Sequence, residues 1–96
     1  MKRYSELHDS TFMGITLIWD TGVVECTFRL GDGHDKLLRL TTECAQQVSC
    51  SRVFPWGRSV SVNEVVVEHL PDGLKVTIEM QSGDEICLLC ERERLG

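Results

Sequence analysis

The sequence predicts an all-β protein, an antiparallel sandwich or curled sheet of about six to seven short strands with at most one or two short helical turns. Two observations carry that expectation. Turn signals recur at short intervals: Asp20-Thr21-Gly22, Gly31-Asp32-Gly33, Pro55-Trp56-Gly57, Pro71-Asp72-Gly73 and Ser82-Gly83-Asp84. Gly supplies positive φ there, and Asp and Ser bond their own backbone. Between these turns lie runs rich in Val, Ile, Leu, Thr and Phe, in which apolar and polar residues alternate at the period of a strand.

The elements follow in chain order. A short helical turn is expected near the N-terminus. Ile15, Leu17 and Trp19 form an alternating set that would face the core, with Ile18 on the other side. From Val23 to Leu30 the alternation is clean: Val24, Cys26, Phe28 and Leu30 point inward, and Glu25, Thr27 and Arg29 outward. Leu38 and Leu40 mark a shorter strand over Lys36 to Thr41. The segment from Thr42 to Phe54 is ambiguous, because Glu43 to Val48 suits either a helical turn or an extended strand. Between Ser59 and Leu70 the parity of the valines changes, from Val60 and Val62 to Val65 and Val67, which calls for a bulge around Asn63-Glu64. Leu74, Val76, Ile78 and Met80 alternate with Lys75, Thr77, Glu79 and Gln81. Glu85 to Glu91 is apolar on both faces and reads as a central or doubly covered strand. Hairpins are expected at Asp20-Thr21-Gly22, at Leu70 to Gly73 and at Ser82-Gly83-Asp84.

Composition bounds the function. The 96 residues make one domain, 1–96, and 42% apolar with 26% charged residues excludes a disordered or fibrous chain. A net charge of −5 argues against nucleic acid and anionic membranes as partners, since both require basic patches. The opening Met1-Lys2-Arg3 is followed by polar residues and no apolar leader, so the expected address is the cytoplasm. The longest apolar-rich stretch, Phe12 to Trp19, is broken by Gly14 and Thr16 and is too short to span a bilayer. Five cysteines, an odd number, argue against a disulfide framework. Cys87-Leu88-Leu89-Cys90 has the CxxC spacing, but on a strand its two sulfurs point to opposite faces. Structural thiols are the expectation, with no metal and no cofactor.

Several phrases occur together: Glu6-Leu7-His8-Asp9-Ser10, then Gly14-Ile15-Thr16-Leu17-Ile18-Trp19, then Phe54-Pro55-Trp56-Gly57-Arg58-Ser59-Val60-Ser61-Val62-Asn63, and Ile78-Glu79-Met80-Gln81-Ser82-Gly83-Asp84. Together they resemble a group of small single-domain bacterial proteins of uncharacterised function. The opening His-Asp pair before an alternating strand also resembles the start of some toxin-immunity proteins. The resemblance implies a common fold over most of the chain and brings no catalytic residues. One departure is that Arg58 follows the Trp-Gly where the group has Pro, which loosens the loop.

The candidate binding residues are Trp56, Arg58, Asn63, Glu79, Gln81, His8 and Asp9. Trp56 and Arg58 belong to residue types that dominate interface hot spots; the favoured reading of the same loop is a plug that folds Phe54 and Trp56 onto the core. Glu79 and Gln81 share the outward face of one strand, and with Asp84 and Glu85 they flank a hairpin as a solvated acidic patch. Ser5, His8, Asp9 and Ser10 hold the letters of a catalytic triad, but sequence neighbours rarely converge as a triad requires; Asp9 or Ser10 reads better as a turn cap. Asp32, His34 and Asp35 fit neither calcium nor zinc spacing and read as a solvated turn. The expected function is a non-enzymatic protein-interaction module of immunity or regulatory type, with another protein or a second copy of the chain as partner. The alternatives are a small-ligand binder using the Trp56 loop and the Glu79/Gln81 face, and a small hydrolase or metal enzyme.

Overall fold

The computed structural model describes residues 4–30, 36–53 and 60–96. It is all-β, with eight antiparallel strands in two four-stranded sheets. A 3₁₀ turn at Tyr4–Leu7 leads into β1 (Thr11–Ile18), β2 (Val23–Arg29), β3 (Leu37–Glu43), β4 (Gln47–Cys50), β5 (Val62–Leu70), β6 (Gly73–Met80), β7 (Glu85–Cys90) and β8 (Arg92–Leu95). One sheet has the order β1-β2-β3-β8 and the other β4-β7-β6-β5. β3 and β4 are two halves of one extended run that turns a corner at Cys44, where φ is 56°. β7 and β8 likewise run on through Glu91. The two bent runs pair across both sheets, from Leu40↔Leu95 to Glu43↔Arg92 and from Gln47↔Leu89 to Cys50↔Ile86. With each bent run counted once, the described residues form six extended segments.

The same order occurs twice: a bulged strand, a hairpin, a second strand, then a strand bent into the opposite sheet. β1 carries its bulge between Phe12 and Gly14, and β5 between Val62 and Glu64. The second bulge reconciles the two valine parities, since Val62 and Val65 are both buried. The three expected hairpins are present, with Gly22, Gly73 and Gly83 at positive φ. Gly73 is required for two reasons. Its φ is 151°, and an added Cβ would sit 2.5 Å from the carbonyl oxygen of Cys90.

The core lies between the sheets. Val24, Cys26, Phe28, Leu38 and Leu40 face Val62, Val76, Ile78, Met80, Ile86, Leu88 and Cys90. Phe12 meets Phe28 edge-on at a centroid distance of 5.5 Å. Leu7, from the 3₁₀ turn, is fully buried among them. The strands Val23–Arg29 and Gly73–Met80 therefore have the predicted inward faces, with Leu30 and Leu74 half-buried at their ends.

Two expectations are corrected and two open readings are decided. Ile15, Leu17 and Trp19 are not core residues: β1 is a sheet edge among the described residues, and the three are 37, 45 and 87% exposed. Of the two readings open for Glu43–Val48, the extended one holds, because β7 and β8 satisfy its backbone. Of the two readings of Glu85 to Glu91, the central strand holds and the double cover does not: β7 lies between β4 and β6, with Ile86, Leu88 and Cys90 buried and Cys87 and Leu89 partly exposed. Asp84 is buried rather than solvated. Its carboxylate accepts from Ser51 Oγ, the Val53 amide and Ser82 Oγ at 3.2, 2.7 and 2.9 Å, tying the β6–β7 turn to the chain after β4.

Candidate functional site

Five of the seven sequence-predicted binding residues converge. The place is the seam where the N-terminal turn crosses the start of β5 and the end of β6. Asp9 turns the chain into β1 at a φ of 66°, a conformation that Asp tolerates better than most residues. Its amide donates to the Val62 carbonyl at 2.8 Å, and the Val62 amide donates to Ser10 at 2.9 Å. Ser10 caps the turn through its hydroxyl, which donates to the Leu7 carbonyl at 2.6 Å.

Side chains then close the seam. His8 donates from Nδ1 to the Asn63 carbonyl at 2.6 Å, and its Nε2 lies 3.5 Å from Asp9 Oδ2. Gln81 Nε2 donates to Asp9 Oδ1 and to the Val62 carbonyl. Asn63, the bulged residue, donates from Nδ2 to Glu79 Oε1 at 2.6 Å. A shallow groove of about 350 Å³ lies beside them, lined by Tyr4, Ser5, His8, Asn63, Glu64 and Val65. The Tyr4 hydroxyl donates to the Glu93 carboxylate. Burial, and then that carboxylate, push the phenol well above its usual value. The hydrogen bonds of this cluster run among its own side chains and to backbone, the arrangement of a clasp between the N-terminal turn and the second sheet. Trp56 and Arg58 lie outside the described residues, as do Asp32, His34 and Asp35.

The five cysteines are unpaired. Cys90 points into the core and Cys87 to the other face, so the CxxC spacing does not bring the sulfurs together. Burial pushes the thiols of Cys26, Cys50 and Cys90 up, and a hydrogen bond with Glu91 does the same for Cys44. A raised thiol is protonated at neutral pH and makes a poor nucleophile. Among the described residues, no group of three or more His, Cys, Asp and Glu side chains is arranged to hold a metal ion, and no helix is long and apolar enough to cross a membrane.

The feature that sequence reasoning missed is β1. From Thr11 to Trp19 the chain carries no charge. Met13, Ile15, Leu17, Ile18 and Trp19 are all exposed, by 51, 37, 45, 39 and 87%. Among the described residues, two clefts lie between β1 and β4. A cleft of about 430 Å³ lies among Leu17, Trp19, Gly22, Ala45 and Val48, and another of about 370 Å³ among Phe12, Ile15, Cys50, Met80 and Ile86. The missed signal was position. The first strand of a meander has one neighbour unless the chain returns to it, so alternation there does not imply cover on either face. No family model matches the chain, and no curated protein or solved structure matches it either.

Proposed function

We propose that the protein is a non-enzymatic interaction module that receives an extended polypeptide segment along the free edge of β1. The observation that carries the reading is the run Thr11–Trp19: an uncharged edge strand with five exposed large apolar side chains. Strand addition to such an edge draws affinity from main-chain hydrogen bonds and selectivity from alternate side chains. The clefts beside Trp19 and Ile15 are the natural receptors for those side chains. A small protein that acts by occupying a partner fits the immunity-type or regulatory role that the opening residues suggest by resemblance. Five unpaired thiols suit a reducing compartment such as the cytoplasm.

The test is site-specific photo-cross-linking in the cells that make the protein. A photoreactive residue at Ile18 is expected to capture a polypeptide chain, and Thr16→Lys is expected to abolish the adduct. Thr16 is exposed and sits across from Glu25 on β2, so a lysine there is accommodated in the folded chain. No adduct at Ile18, or an adduct equally strong from Asp72 at the far hairpin, overturns the reading.

A further inference from the structure

We infer that the segment received by β1 is β1 of a second copy of this chain, paired antiparallel about a two-fold axis through Thr16. The inference rests on the edge-strand reading above and names its occupant.

The first argument compares the four edge strands among the described residues, β1, β8, β4 and β5. Monomeric β proteins blunt their edges with charge, shortness or proline. β4 and β8 span four residues each, and β8 carries Arg92, Glu93 and Arg94. β5 carries Glu64, Glu68 and His69. β1 has eight residues, none charged, and its bulge at Met13 leaves Gly14 to Ile18 regular.

The second argument is self-complementarity. An isologous contact places the same patch on both copies, so any charge near the axis meets its own like charge. β1 has none. About Thr16 its apolar pattern is close to palindromic, Met-Gly-Ile-Thr-Leu-Ile-Trp. Antiparallel pairing sets Ile15 against Leu17 of the other copy on the core-side face, and Ile18 against Gly14 on the outer face. A Cβ at Gly14 would meet nothing within 4 Å, so there is space for that isoleucine. Trp19 then reaches Met13 of the other copy, the two most exposed side chains of the run. The nearest acidic side chain on the neighbouring strand, Glu25, has Arg39 at 3.7 Å, which tempers the repulsion expected between two chains of net charge −5.

The third argument is area. The exposed parts of these five side chains amount to several hundred Å² per copy before the strand backbone is counted, on the order of the ~800 Å² per partner of a stable interface. The pairing joins the two β1-β2-β3-β8 sheets into one continuous sheet and removes the unblunted edge from solvent.

Sedimentation equilibrium of the purified chain tests this. At about 100 µM the wild type is expected at twice the chain mass of 10.9 kDa. Thr16→Lys places two lysines across the axis and is expected at the single-chain mass, with an unchanged far-ultraviolet spectrum and at least a ~10-fold weaker dimer. Val66→Lys adds the same charge to the exposed face of the β5 edge and is expected to stay dimeric. A wild type at single-chain mass, or a Thr16→Lys variant as dimeric as the wild type, overturns the inference. A monomeric wild type whose Ile18 cross-link to a different protein is lost in Thr16→Lys would leave the edge-strand reading standing and remove the self-pairing.

Discussion

Thr42 sits fully buried on β3, and no group among the described residues bonds its Oγ1. A buried hydroxyl without a partner forfeits its hydration, whereas valine has the same shape and nothing to satisfy. Thr42→Val is therefore expected to stabilise the fold by about 1 kcal/mol, a rise in Tm of roughly 4–8 °C for a chain of this size in thermal unfolding. Cys26, also fully buried, couples the core to pH. Burial, with a smaller contribution from Cys50, pushes its thiol up to about 12 from an ordinary value of 9.0. Above pH 9 the unfolded chain gives up this proton while the folded chain keeps it, so the unfolded state binds fewer protons and stability falls as pH rises. The stabilisation is complete below pH 9 and is lost toward pH 12, at up to ~1.4 kcal/mol per pH unit from this one group. Urea unfolding at pH 8, 9 and 10 should show that decline, and Cys26→Ala should flatten it even though the variant is less stable at every pH.

At the scale of elements, turn chemistry and alternation decide most of the fold. The β5–β6 hairpin shows how tightly. Gly73 places its α-carbon where a side chain would strike the Cys90 carbonyl of β7, so Gly73→Ala must displace backbone that belongs to a neighbouring ladder. A loss of about 2–4 kcal/mol is expected, through strain at positive φ and a broken close approach. A matched Gly14→Ala, in open space, should move the urea midpoint far less. These elements were legible because their signals are local: Pro71-Asp72-Gly73 names its own turn, and the parity slip of the valines names its own bulge. β1 was misread because its alternation is as regular as that of β2, while its exposure depends on which strands come to lie beside it. Asp84 was misread for the same reason. A carboxylate next to a Ser-Gly turn looks solvated until Ser51, thirty-three residues away in sequence, is brought against it. The convergence of His8, Asp9, Asn63, Glu79 and Gln81 was within reach residue by residue, but their mutual bonding was not. It is set by the crossing of the N-terminal turn over the β5 bulge.

For the molecule as a whole, the question is what holds the two sheets together. On one side the answer is covalent: the runs β3–β4 and β7–β8 belong to both sheets. On the other side, among the described residues, β1 meets the chain entering β5 at the bridge Thr11↔Ser61. Among the described residues, residues 4–10 offer two devices that close this side. One is the polar clasp of His8, Asp9, Asn63, Glu79 and Gln81, in which His8 and Asp9 are 58% and 71% exposed along their side chains. The other is Leu7, wholly buried between the sheets. Exposed polar pairs contribute little, of the order of 0–1 kcal/mol, because water competes for both partners. Removing a buried leucine side chain costs about 2–5 kcal/mol, as lost burial plus the cavity left behind. Leu7→Ala should therefore lower the urea midpoint by an amount worth about 3 kcal/mol, while His8→Ala and Gln81→Ala should each stay within about 1 kcal/mol of wild type. With one core shared by both sheets, the slope of the unfolding transition should be the same in all three variants, since the same surface is exposed on unfolding. If Leu7→Ala instead lowers that slope and leaves a second transition, the N-terminal turn is the joint between two units that unfold separately.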